Sequence, residues 1–235
     1  MSDIFRGIKD KLDFRLNARN DYVSRVVSKN RVLDIGGRNR FSESRRRINQ
    51  LNKNPNSVVT STDIIPEYGP DLVDDICNTA IAPNSFDGVY CDAVLEHVTE
   101  YWKAVDNIHS ILADGGEAFI YVPFCYPFHD RMDYHRFTFT EVARMLERFS
   151  EVKILAPGKE SGYGYVFWSM VSLTQISRFP QVHKVLALTL NGLLKIGLWI
   201  VYKLKLRSMP NTFEEVSFYW IYLYVNHGFA AWVRK

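Results

Sequence analysis

Four aspartates follow short apolar runs: Asp34 after Val32-Leu33, Asp63 after Val58-Val59, Asp75 after Leu72-Val73, and Asp92 after Val89-Tyr90-Cys91. A carboxylate at the end of such a run can accept paired hydroxyls or orient an ammonium group. Asp34 is followed by Ile35, Gly36 and Gly37, and residues without side chains let the backbone bend sharply and approach a ligand. Three histidines, His97, His129 and His135, belong to the one residue type that titrates near neutrality. His129 and His135 could remove a proton from a hydroxyl or an amine.

The chain has 235 residues and a net charge of +3, but the charge is segregated. Residues 1–60 carry 14 Lys/Arg against six Asp/Glu, whereas residues 61–100 carry nine acids and no Lys or Arg. The acidic block suits a cationic or hydroxyl-rich ligand, or else a solvated acidic surface. The basic third shows no binding module and no interleaved aromatics, so nucleic acid is not an expected partner. Cys77, Cys91 and Cys125 form no C-x-x-C pair, which argues against a zinc ribbon or a redox dithiol, and free thiols are expected. Asp3, Asp10 and Asp13 interrupt residues 1–20, which do not read as a secretory signal, and a cytoplasmic location is expected.

These side chains need strands to carry them and helices to cover those strands. The pattern predicts strands at about 32–35, 57–62, 72–73, 88–92, 117–122 and 151–155. Between them it predicts helices at 21–29 with Asn20 as cap, after Ser42, over Tyr101–Leu112, and at 138–148 with Thr140 as cap. Ile4, Phe5, Ile8 and Leu12 read as an amphipathic lead-in helix. Strands alternating with helices imply a mostly parallel sheet wound on both faces. Arg45, Arg46 and Arg47 read as a solvated helix face, with an anionic substrate as the sharper alternative.

The segments Val32-Leu33-Asp34-Ile35-Gly36-Gly37 and Phe86-Asp87-Gly88-Val89-Tyr90-Cys91-Asp92-Ala93-Val94-Leu95-Glu96-His97-Val98 together resemble the class I S-adenosylmethionine-dependent methyltransferases, in the small-molecule branch typified by methyltransferase type 11. The resemblance implies a Rossmann-like, doubly wound, seven-stranded sheet with an antiparallel last strand, which Ser217–Lys235 would supply. It implies S-adenosylmethionine as cofactor and methyl transfer to a small-molecule, glycan or lipid-linked acceptor. Asp34, Gly36 and Gly37 would then hold its amino-acid part, Asp63 its ribose, Asp75 and Ile76 its adenine, with Asp92 beneath the methionine part. Leu95, Glu96 and His97 would open a helix facing the substrate. The usual pattern has further glycines where Arg38 and Arg40 stand, which also leaves open a non-catalytic Rossmann-like binding protein.

Local alternatives accompany these roles. Asp63 could be a strand-end turn residue, Asp74 competes with Asp75, and His97 could be a structural contact. Asp133 and Arg136 could form a loop salt bridge. No metal is expected, His129, Asp133 and His135 being the set considered.

The predicted organisation is N-terminal helices over 1–29, a methyltransferase domain over 30–160 and 216–235, and an apolar helical insertion over 161–215. Within that insertion Val185–Tyr202 is strongly apolar, with Lys184, Asn191, Lys195 and Tyr202 on one stripe and Lys203, Lys205 and Arg207 following. Lys195 near its middle argues against a spanning helix. The region 183–207 is expected to cap the site, to pair with another subunit as a homo-oligomer, or to lie peripherally on a membrane.

Overall fold

The runs Val32–Ile35, Gly88–Asp92 and Ala118–Val122 are apolar at nearly every position, which suits strands covered on both faces. A computed structural model describes residues 9–156, 158, 161–171, 180–206 and 212–235. In chain order the elements are β1 (Leu12–Asp13), α1 (Ala18–Val27), β2 (Arg31–Ile35), α2 (Glu43–Leu51), β3 (Val58–Asp63), β4 (Leu72–Val73) and β5 (Phe86–Asp92). They continue with α3 (Tyr101–Ile111), β6 (Leu112–Pro123), α4 (Phe139–Met145), β7 (Glu151–Leu155), α5 (Tyr163–Val171), α6 (Pro180–Val201), α7 (Phe213–Phe218) and β8 (Gly228–Arg234).

The eight strands form one sheet in the order β1-β7-β8-β6-β5-β2-β3-β4. Every pairing is parallel except those of β8, which runs antiparallel between β6 and β7. From β2 the chain moves outward to β3 and β4, then returns to the other side of β2 to place β5. This reversal leaves a crevice at the carboxyl ends of β2 and β5, where neither crossover covers the sheet edge.

Alternation along the strands divides the core. Leu33, Ile35, Val89, Cys91, Ile120 and Val122 pack with residues of α3 and α4. Tyr90, Phe119, Tyr121 and Trp232 pack with Val23, Val26, Val27 and Ile48 of α1 and α2. At the opposite end of the sheet Glu117 is almost fully buried. Its carboxylate pairs with Arg25 at 2.7 Å and Lys29 at 3.1 Å, and it accepts the indole N–H of Trp232 at 3.0 Å. Burial alone would raise its pKa, but the donors from Arg25, Trp232 and Lys29 outweigh that and hold it below the ordinary value.

Several expected boundaries move. The sheet has an eighth strand: Leu12, expected in a lead-in helix, pairs with Ile154 in β1. Ile4, Phe5 and Ile8 lie outside the described residues. Asn20 lies inside α1, whose cap position is Asn17. Thr138, not Thr140, caps α4 by accepting the Glu141 N–H. Leu95–His97 forms a single 3-10 turn, and the α-helix begins only at Tyr101. Of Ser217–Lys235, only Gly228–Arg234 is strand, and the residues before it include the helical Phe213–Leu223. The stripe on α6 is turned partly inward, with Asn191 buried against the protein while much of the apolar surface faces outward.

Replacing Glu117 with alanine should lower unfolding stability by about 1.5–3 kcal/mol, the range for hydrogen bonds to a charged group. The loss is moderated because Arg25, Lys29 and Arg234 are partly exposed and can turn to water. Urea denaturation checks this, and an unchanged midpoint would remove Glu117 from the forces that hold β6 to α1.

Candidate active site

The turn after β2 is built around a buried carboxylate. Asp34 is wholly buried; one oxygen accepts the Ser44 hydroxyl at 2.7 Å and Oδ2 has no partner among the described residues. Burial pushes its pKa up to about 7, although Ser44 and the charge of Arg45 act in the other direction. Ser44 is positioned because Ser42 caps α2, accepting the Arg45 N–H. Gly36 has a φ of +70°, and a Cβ on Gly37 would fall 2.2 Å from Asp34 Oδ2. The Gly37 N–H donates to the carbonyls of Asp34 and Thr62. Arg38 itself adopts a left-handed φ of +52°, with its guanidinium 4.2 Å from the Tyr68 ring centroid. Arginine thus accepts here the conformation for which a glycine is the usual choice, at a cost of roughly 1–2 kcal/mol.

The next two acids lie along the same edge. Asp63 ends β3 and accepts the Ile65 N–H at 3.0 Å. Asp75 accepts the Cys77 N–H and caps a 3-10 turn in which Ile76 is buried. Asp74 accepts the Ala80 N–H. Asp71, given no role by the sequence pattern, bonds the Ser61 N–H and hydroxyl and pairs with Arg45 at 2.8 Å. These bonds, led by the Ser61 N–H, lower its pKa.

Asp92 ends β5. Its Oδ2 accepts the Tyr90 hydroxyl at 2.5 Å and the Arg19 guanidinium at 3.0 Å. Ala93 follows with a left-handed φ of +58°. A cavity of about 830 Å³ opens beside this strand end, lined by Asn20, Ser44, Arg47, Tyr90, Asp92 and Ala93. The charge of Asp92 adds to burial in disfavouring ionisation of Asp34. Arg19 was not singled out from sequence: in α1 it is one of many N-terminal cations, and only the fold brings it to Asp92.

His97, in the turn after β5, meets His129, and His135 lies farther along the same loop against the Thr99 carbonyl and the Tyr101 ring. Glu96 is buried, one of its carboxylate oxygens lacks a partner among the described residues, and its main-chain carbonyl accepts the N–H groups of Tyr134 and His135. Asp133 and Arg136 form a two-pronged ion pair, and Arg136 also donates to the carbonyls of Tyr126 and Pro127. Led by the Arg136 hydrogen bonds, this pair pulls the Asp133 pKa down to about 2. The salt-bridge role considered for these two residues is therefore present and shapes the loop.

His97 Nδ1 lies 2.7 Å from the Met132 carbonyl, and the His97 and His129 ring centroids are 5.1 Å apart. His129 Nδ1 lies 3.2 Å from the Pro127 carbonyl and from Asp133 Oδ2. His135 Nε2 lies 3.3 Å from the Thr99 carbonyl. Because a carbonyl only accepts, each contacted nitrogen carries the proton; Nε2 of His97 and His129 and Nδ1 of His135 are the basic atoms. Among the described residues, Glu96, His97 and His129 have potential ligand atoms within 4.8 Å of one another, a different trio from His129, Asp133 and His135.

Residues 41–120 match the methyltransferase domain family. Over these residues the chain is similar to that family. The matched stretch includes Asp63, Asp75, Ile76, Asp92 and His97; Asp34 and its glycines lie just before it, His129 and His135 just after. No curated protein matches the sequence. The fold is shared with an S-adenosylmethionine-dependent methyltransferase from Archaeoglobus fulgidus at a TM-score of 0.54 and 16% identity, covering 100% of this chain and 97% of that one. It is shared with phosphoethanolamine N-methyltransferase 2 of Haemonchus contortus, solved with S-adenosylmethionine, at 0.52 and 15% identity over 93% of this chain and 52% of that one. The [4+2]-cyclase SpnF also has it, at 0.52 and 14% identity, covering 92% of this chain and 80% of that one.

Burial raises the Glu96 pKa from 4.5 to about 7, with Asp92 and Asp133 adding to the effect and Arg136 opposing it. A raised acid binds its proton more tightly in the folded domain than in the unfolded chain. Its contribution is therefore complete below about pH 4.5 and is lost as pH rises toward about 7. Glu96→Gln, which mimics the protonated acid, should flatten that decline and gain on the order of 2–3 kcal/mol above pH 7. Chemical denaturation of both proteins from pH 4 to pH 8 tests the sign, and parallel curves would show that Glu96 is already ionised at no cost.

Proposed function

We propose that the chain transfers a methyl group from S-adenosylmethionine to a small-molecule, glycan or lipid-linked acceptor. The observation that carries this reading is Asp34. A buried carboxylate with one unpartnered oxygen stands beside a glycine turn at the strand-order reversal, with Asp63 and Asp92 ending the flanking strands. Such an oxygen suits an ammonium group, and strand-end carboxylates suit a ribose diol.

In this reading Asp34, Gly36 and Gly37 receive the amino-acid part, Asp63 the ribose, Asp75 and Ile76 the adenine, and Asp92 borders the methionine part. The bound cofactor supplies an activated methyl on a sulfonium. What remains for the chain is to align the acceptor and, where a proton must leave, to take it. His129 and His135 lie on the ion-paired loop at that edge, with His97 beside them. Their basic nitrogens, Nε2 of His97 and His129 and Nδ1 of His135, are the candidate proton acceptors. The cytoplasm is the compartment this reading assigns.

A second reading, a non-catalytic binding protein of the same fold, draws on the Gly37 N–H already being engaged with Asp34 and Thr62. The left-handed Arg38 favours the first reading, because it preserves the turn that a glycine would otherwise supply.

Calorimetry with S-adenosylhomocysteine, followed by a labelled-donor screen over glycan, lipid and quinone precursors, tests both. Asp63→Ala should weaken S-adenosylhomocysteine on the order of tenfold, the loss of charge-assisted hydrogen bonds worth about 1.5–3 kcal/mol. An unchanged affinity would take the ribose away from Asp63. His129→Ala or His135→Ala should slow methyl transfer while S-adenosylhomocysteine binding survives. Full turnover in both variants would mean that this loop supplies no base.

A further inference from the structure

The methyltransferase domain leaves one large feature unaccounted for. Helix α6, Pro180–Val201, is long and apolar enough to cross a bilayer, yet only 11% of its apolar stretch is buried. Val185, Leu193 and Ile196 are each about 60% exposed, and Trp199, Ile200 and Val201 continue the apolar surface toward Leu204. Beside it α5 adds exposed Phe167 and Met170.

The opposite side of α6 belongs to the protein. Ala187 and Asn191 are buried, and Leu194 and Leu198 pack against the main core. The Asn191 amide accepts the Gly164 N–H at 2.7 Å and donates to the Ser161 carbonyl at 2.7 Å. A helix fastened along one side in this way cannot be ringed by lipid, and Lys195 lies near its middle, so the bare side alone is available to a second phase.

Charge selects the occupant. From 180 to 206 the chain carries Lys184, Lys195, Lys203 and Lys205 and no Asp or Glu. Lys203 Nζ sits 5.7 Å from the Trp199 ring centroid, which places a cation beside an interfacial aromatic at the end of the helix. A second copy meeting this face across a two-fold axis would oppose cations to cations with no carboxylate on the helix to pair them. An anionic lipid surface meets both demands, taking the apolar side chains into the acyl boundary and the lysines among its headgroups.

We propose that α6 is an interfacial helix that docks this protein on anionic phospholipid membranes. The inference does not rest on methyl transfer, because it concerns binding alone.

The test is co-sedimentation of the full chain with vesicles of phosphatidylcholine alone or with phosphatidylglycerol added, at low and high salt. Binding is expected with the anionic vesicles, falling as salt rises. Each of Lys195→Glu and Lys203→Glu should weaken it about fivefold or more, following the typical contribution of one cation near a charged surface. Leu193→Glu with Ile196→Glu should abolish sedimentation while thermal unfolding is unchanged, since both side chains are already exposed. The proposal fails if the monodisperse protein ignores anionic vesicles. It fails equally if gel filtration shows a dimer that the double variant splits while neither protein binds lipid, since the second copy would then own the face.

Discussion

The carboxyl edge of the sheet depends on the placement of one charge-bearing group out of water. Asp34 is buried where a hydrophobic residue would be cheaper, with Ser44 satisfying one oxygen and none of the described residues satisfying the other. That arrangement fixes three neighbours. α2 must start where Ser44 can reach back, Gly37 must lack a side chain, and the backbone must turn left-handed at Gly36 and again at Arg38. The cost is real, since burial opposes ionisation and Asp92 and Asp71 add repulsion. A cationic ligand group would offset that cost, so the turn is less settled empty than filled.

The loop after β6 is organised by a different device. There a fully formed ion pair, Asp133 with Arg136, acts as the internal frame of an exposed loop, and hydrogen bonds from residues 134 and 135 to the Glu96 carbonyl tie that loop to the turn after β5. Each histidine has one nitrogen committed to a carbonyl. This fixes its tautomer and leaves the other nitrogen as base. The two regions therefore contrast: a buried acid short of partners on one side, imidazoles each held by one nitrogen to a carbonyl on the other.

Much of this was legible in sequence because strand-end acids and glycine turns are local signals. Asp34, Asp63 and Asp92 each stand at a strand terminus as their apolar runs implied, and Ser42 caps α2 as its type suggested. Features set by distant parts of the chain were not legible. The two residues of β1 have no periodicity to read, and only pairing with β7 makes them a strand. Thr138 and Thr140 are equivalent as cap candidates until the entry angle of the chain chooses between them. Arg19 and Asp92 are far apart in sequence, so their pairing has no local trace. On α6 the spacing revealed a polar stripe, but Asn191 faces Gly164 and Ser161 because packing, not periodicity, decides which side meets water.

The position of β8 also orders events in time. Lying between β6 and β7, it joins β7 and β1 to the rest of the sheet. A ribosome delivers α5 and α6 before β8, so Trp232 and Phe229 reach the core only after the apolar helix has emerged. During that interval the sheet has an open seam along β6, and the nascent chain presents unpaired strand edge and bare helix together. Closing that seam is left to the final strand, the last element of the fold to be made.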